Sequence, residues 1–202
     1  MHRAHVSLVL LSLTLAASTA SAQSAEGGST AGAKRPLSAA LLVGMGLDVG
    51  GAPRNPWVLG FGARAGYQLA PLGQPKIYVG LRFEYFIGSS DELTAGQGGG
   101  DLSSSITSIG LEGGYDLSLS DQLTLRPELG LGIAFHSDEN LDIFGSSAID
   151  ASSSGLYLSP GVAASYDLSP GLFVGVDLHL PVAFADQTLV GLTLMAAGGL
   201  RI

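Results

Sequence analysis

From Leu37 to the last residue, apolar side chains recur at every second position in eight successive runs. A period of two predicts β-strands that turn one face toward an apolar environment. In the first run Ala39, Leu41, Val43, Met45, Leu47 and Val49 alternate with Ala40, Leu42, Gly44, Gly46 and Asp48. The second sets Trp57, Leu59, Phe61, Ala63, Ala65, Tyr67 and Leu69 against Val58, Gly60, Gly62, Arg64, Gly66 and Gln68. In the third, Ile77, Val79, Leu81, Phe83, Tyr85 and Ile87 alternate with Tyr78, Gly80, Arg82, Glu84 and Phe86. Weaker and stronger versions follow at Ile109 to Leu117, Leu123 to Phe135, Leu156 to Leu168, Leu172 to Val182 and Val190 to Ile202.

The connections differ in length. Pro71 to Pro75, Ser118 to Gln122 and Ser169 to Gly171 read as tight turns, whereas Gly88 to Ser105 and His136 to Ser154 read as long, acidic, Ser- and Gly-rich loops. Gly51 to Pro56 and Asp186 to Gln187 are short. Every second run ends on a small-aromatic-polar-aliphatic sequence, Gly66-Tyr67-Gln68-Leu69, Gly114-Tyr115-Asp116-Leu117 and Ser165-Tyr166-Asp167-Leu168, with Gly199-Leu200-Arg201-Ile202 as an aliphatic variant. Four hairpins closing on one repeated motif predict an even strand count, an up-and-down meander and both termini on one rim.

Alternation alone does not say whether the apolar face lines a soluble cavity or meets lipid. The opposite face decides. A soluble barrel would place Lys, Glu and Thr there, but this face carries Gly44, Gly46, Gly60, Gly62, Gly80, Gly110, Gly114, Gly130 and Gly132, residues small enough for a narrow interior. Its charges, Arg64, Arg82, Glu84, Glu112, Arg126, Glu128 and Asp177, fall near mid-strand and include both signs, so they can neutralise one another inside. Aromatic residues of the apolar parity gather at two heights, Trp57, Tyr85, Phe135 and Phe184 toward the long loops and Tyr67, Tyr115 and Tyr166 toward the tight turns. This predicts two aromatic girdles. The fold expected is all-β, an eight-stranded antiparallel up-and-down transmembrane β-barrel over residues 37–202.

Composition supports this. Charged residues are 13% of the 202, against roughly 25% in an ordinary soluble domain. The 12-residue apolar stretch Val6 to Ala17 after Arg3, followed by Ala20-Ser21-Ala22, has the form of a cleaved export signal over residues 1–22 and is too short to span a bilayer. Residues 23–36, rich in Gly, Ser, Ala and Thr, are expected to form a flexible periplasmic tail. With no cysteine, disulfides, thiolate metal sites, a cysteine nucleophile and a lipidated cysteine are all excluded. A formal net charge of −8 disfavours nucleic acid as a partner.

On these strands, loops and girdles the chain resembles the small eight-stranded outer-membrane proteins of Gram-negative bacteria, the OmpA and OmpX type within a broad porin-like β-barrel family. The resemblance covers Leu37 to Ile202 and implies an outer-membrane location, contact with outer-membrane lipid and lipopolysaccharide, insertion by the barrel-assembly machinery and a monomeric state. Members usually finish on an aromatic residue; here the last three are Leu200-Arg201-Ile202.

The seven mid-strand charges are the leading candidate site, either as a salt-bridged plug or as the lining of a narrow ion path. With Arg64, Arg82, Arg126 and Arg201 facing Asp48, Glu84, Glu112, Asp116, Glu128, Asp167 and Asp177, such a path would prefer cations, and abundant inner glycine argues for some spare, water-filled space. His136 and His179 also have inner parity. His136-Ser137 suggests a hydrolase pair, but adjacent strand residues point to opposite faces, so no catalytic residue is expected. Asp138, Glu139 and Asp142 offer oxygen ligands without calcium-loop spacing, and neither metal nor cofactor is expected. Gly98-Gly99-Gly100 lacks a phosphate loop's lysine. Two functions follow: a structural or interaction-mediating barrel presenting loops 88–105 and 136–154 to an extracellular ligand, or a narrow cation-preferring passive channel for ions or small solutes.

Overall fold

The computed structural model describes residues 36–52, 54–69, 76–92, 100–142 and 151–202. The expected export signal, residues 23–35 of the expected tail, and the segments 70–75, 93–99 and 143–150 lie outside the described residues, as do the side chains of 76, 90–92, 100–103, 139–142 and 151.

Strands β1 (Leu37–Asp48), β2 (Leu59–Leu69), β3 (Lys76–Glu92), β4 (Gly100–Ser118), β5 (Leu123–Asp142), β6 (Ala151–Ser169), β7 (Leu172–His179), β8 (Val182–Phe184) and β9 (Thr188–Arg201) form one antiparallel sheet. From β1 to β7 each strand pairs with the next along the chain, and β9 returns to β1 through a register that runs from Ser38↔Arg201 to Asp48↔Gly191. The sheet therefore closes without an edge. β7 and β8 both lie between β6 and β9 and form a single crossing, so the barrel has eight. The expected continuous run through Val182 is interrupted at Leu180-Pro181 because proline has no amide to donate. Leu180 N still reaches Pro160 O at 2.9 Å, and Gly191 N donates to Pro181 O at 2.9 Å.

Two expected loops are shorter than the polarity pattern implied. β3 continues to Glu92 and β4 begins at Gly100, paired out to Glu92↔Asp101 after an irregularity between Ile87 and Ser90. Likewise β5 extends to Asp142 and β6 starts at Ala151. These ends are rich in Ser, Asp and Glu at both parities, so they carry no alternation to read. Backbone pairing needs none, and polar side chains suit strands that rise beyond an apolar layer.

The barrel is apolar outside and keeps its strand charges inside. Leu41 is 73% and Met45 65% exposed on the outer face, together with Leu81, Leu111, Leu131, Val176 and Leu194. Arg64, Arg82, Glu84, Glu112, Arg126, Glu128 and Asp177 are buried within. The inner glycines do not leave the water-filled space they suggested. Large side chains lie over them: Phe86 over Gly60, Tyr78 over Gly66, Trp57 over Gly191 and Arg126 over Gly114. A second use of glycine is close backbone approach, as at the in-register pair Gly110↔Gly132, where a Cβ on Gly132 would collide with the carbonyl oxygen of Ile109 and the Cα of Gly110.

Gly132→Ala is expected to cost about 1–3 kcal/mol in urea-unfolding experiments on vesicle-inserted protein. Gly198→Ala, where a Cβ meets nothing within 4 Å, should stay within roughly 0.5 kcal/mol of wild type. Equal effects would mean that the β4–β5 approach is not tight.

Candidate functional site in the barrel lumen

Strand parity alone carries the seven charges inward, and register sets their heights. Arg64 on β2 stands directly opposite Arg82 on β3, a like-charge pair that is unfavourable by itself. It is resolved from across the barrel. Asp177 on β7, 0% exposed, accepts at one oxygen, Oδ2, from Arg64 Nη1 at 2.8 Å and from Arg82 Nη1 at 3.1 Å. Arg82 also donates through Nη2 to Glu84 Oε1 at 2.8 Å, and its Nη1 lies 3.4 Å from both Glu112 Oε2 and Glu128 Oε1. The predicted charges thus meet in one cross-barrel network.

The network recruits residues beyond the seven mid-strand charges. Tyr78 donates to Glu112 Oε1 at 2.7 Å and Tyr157 to Glu84 Oε2 at 2.9 Å. The Arg126 guanidinium lies 3.6 Å from the Tyr78 ring centroid, and its Nε donates to Asp116 Oδ1 at 2.6 Å, where Gln68 also donates to Oδ2. His179 Nε2 is 2.8 Å from Glu128 Oε1. The signal for these residues was inner parity, which Tyr78, Asp116, Tyr157 and His179 all share. In this middle layer Arg64, Arg82 and Arg126 face Glu84, Glu112, Asp116, Glu128 and Asp177, an excess of two carboxylates when His179 is neutral. Toward the tight turns a smaller group joins Arg201 Nε to Asp167 Oδ1 at 2.9 Å and Arg201 Nη2 to Ser165 Oγ at 3.1 Å.

Above the charges, toward the long-loop rim, the lumen becomes apolar. Leu42, Phe86, Ile106, Tyr157, Ala183, Leu189 and Met195 form a buried cluster with Trp57. The expected girdle position of Trp57 is corrected here: it is 0% exposed and points inward, against Phe86 with ring centroids 5.2 Å apart. Its parity was extrapolated past the start of β2 at Leu59. The preceding turn is tied down by Asn55 Nδ2 donating to Gly46 O at 3.1 Å and Trp57 N donating to Asn55 Oδ1 at 3.0 Å, which swings the indole over the lumen. Of the other expected girdle residues, Tyr67, Tyr115, Phe135, Tyr166 and Phe184 lie exposed on the outer face, and Tyr85 is half-buried beside Phe61.

Among the described residues two serine–histidine contacts are present. Ser104 Oγ and Asp138 Oδ1 approach the same atom, His136 Nε2, at 3.0 and 3.5 Å, so the ring is not placed to relay a proton between them. Ser137 takes no part. Ser159 Oγ meets His179 Nδ1 at 3.1 Å while Glu128 lies at Nε2. That order suits a triad, but Ser159 is 1% exposed and a nucleophile has to reach its substrate. Two cavities among the described residues are small: ≈ 10 Å³ lined by Ser38, Arg64, Arg126, Ala163, Ser165, Phe173 and Arg201, and ≈ 50 Å³ lined by Ala52, Arg54, Ser104, His136, Asp138, Gln187 and Leu189. The first has room for about one water.

Arg82→Met removes the cation shared by Glu84, Glu112, Glu128 and Asp177, and is expected to destabilise the folded barrel by about 3–5 kcal/mol in urea titrations. A loss below about 1 kcal/mol would mean that water hydrates these carboxylates.

Residues 7–189 match the family described as outer membrane protein beta-barrel domain. No curated protein matches the chain. Among solved structures, a major outer membrane protein from Thermus thermophilus superposes with a TM-score of 0.58 at 19% identity, over 81% of this chain and 98% of that one. Neisserial surface protein A superposes with a TM-score of 0.53 at 15% identity, over 82% and 96%. These likenesses speak for the fold. The family match spans most of a chain that folds as a closed barrel with an apolar exterior and a charged lumen: the chain belongs to the outer membrane protein beta-barrel domain family and resides in the bacterial outer membrane.

Proposed function

We propose that this protein is a closed, non-enzymatic outer-membrane barrel that acts through its extracellular rim, with a lumen built for stability and not for transport. The observation that carries this reading is the stacking of two filled layers across the lumen, the ionic network centred on Arg82 and the apolar cluster around Trp57 and Phe86. An ion crossing here would have to shed water in the apolar layer and break pairs in the ionic one. An eight-stranded barrel is just wide enough for side chains to fill.

The working surface in this reading is the rim where β3 to β6 rise as paired strands, joined by segments 93–99 and 143–150. Such long connections face outward in outer-membrane barrels, and the tight turns face the periplasm. The apolar band below the rim contacts lipid, with lipopolysaccharide around the rim itself. A rigid, hydrogen-bonded rim presents binding groups at little entropic cost. The carboxylate excess of the ionic layer favours one second reading, a narrow cation-preferring channel.

Reconstituted in planar bilayers, the folded protein is expected to give no single-channel steps, while Trp57→Ala combined with Phe86→Ala opens a small conductance. Exchanging segments 93–99 and 143–150 should change cell adhesion without changing conductance. Cation-selective steps from the wild-type protein would establish the channel reading instead.

A further inference from the structure

We propose that the lumen holds one divalent transition-metal ion, of the Zn²⁺ type, ligated by Glu128, Asp177 and His179. Each residue is buried, and the three offer one ligand atom apiece within 4.8 Å of one another. The sequence offers oxygen donors only in the acidic loops, without a metal-site spacing, and no metal is expected from it; the structure assembles donors at mid-barrel. Asp177 and His179, two apart on β7, share its inner face. Glu128 on β5 is in register with Gly161 on β6, which is in register with His179. Gly161 makes the meeting possible, because a Cβ there would come within 2.5 Å of His179 Nδ1. The imidazole therefore lies across β6 toward Glu128.

The hydrogen bonding around the imidazole suits a metal ligand. Nδ1 lies 3.1 Å from the buried Ser159 hydroxyl; where that oxygen accepts from Nδ1–H, the contact fixes the ring and leaves Nε2 with its lone pair. Nε2 sits 2.8 Å from Glu128 Oε1 but makes no well-directed hydrogen bond, and neither do Glu128 Oε2 and Asp177 Oδ1. In that tautomer the Nε2 lone pair faces a carboxylate oxygen, a contact that is repulsive until a cation binds to both. Ligands about 2.0–2.1 Å from one tetrahedral metal ion stand about 3.4 Å apart, so a shift of roughly 0.5 Å in the imidazole or the carboxylate admits the ion between them. A dication would also cancel the two-carboxylate excess of the surrounding layer. One nitrogen with carboxylate oxygens favours Zn²⁺ over Ca²⁺ or Mg²⁺, which take all-oxygen shells.

The test is to refold the full chain with Zn²⁺ in slight excess, pass it over a chelating resin and measure zinc per folded chain by mass spectrometry. Folding is scored by heat-modifiable electrophoresis. Wild type is expected to keep one ion more than His179→Gln or Gly161→Ala, and His136→Gln to keep the wild-type amount. Zinc present during refolding should raise the wild-type thermal transition by several degrees and leave the His179→Gln transition unmoved. Should both variants fail to fold, wild type refolded with Co²⁺ must show visible ligand-field absorption. No retained ion in wild type, equal retention in His179→Gln, or a colourless Co²⁺ form would overturn the site and leave His179 as a proton-bearing partner of Glu128.

Discussion

A barrel whose outer face meets hydrocarbon has to place its polar residues inside, and there they have little but one another to replace water. That constraint converges on the Asp177 carboxylate. Arg64 and Arg82 are neighbours in register and would repel; one oxygen from the far side of the barrel holds both. Their remaining contacts reach Glu84, Glu112 and Glu128, and the phenols of Tyr78 and Tyr157 cap two of those acids. Strands β2 to β7 are thereby tied across the lumen as well as edge to edge.

The same interior explains the glycine content. Thirty glycines look at first like weak strands and empty space. In the folded barrel many of the inner ones lie beneath rings and guanidiniums, with Phe86 over Gly60 and Arg126 over Gly114, so a narrow cylinder accommodates large side chains by pairing each with none. His179 over Gly161 follows the same rule. Bulk and its absence alternate around the wall, which packs the lumen without widening it.

Period-two alternation made the barrel legible, since parity fixes which face each residue joins and an even number of strands lets the last pair antiparallel with the first. Parity also placed the seven lumen charges on one side of the wall. It failed where a strand had not yet begun, at Trp57, whose direction is set by the Asn55 turn. It was silent for the serine-rich ends of β3 to β6, where polar residues occupy both faces and only backbone pairing defines the strand. Cross-barrel partners were not legible either: Arg64 and Asp177 are 113 residues apart, and their meeting depends on barrel diameter and on tilt. Neither quantity is written in any local pattern.

The central claim is that the lumen is closed by contacts across its width. A double-mutant cycle on Arg64→Met and Asp177→Leu, read by urea unfolding in lipid vesicles, measures one such contact between non-adjacent strands. The predicted result is a coupling energy of roughly 1–3 kcal/mol, with the double variant less damaged than the two single losses together. Additivity within about 0.5 kcal/mol would contradict it, and would mean that the two side chains face water in an open lumen.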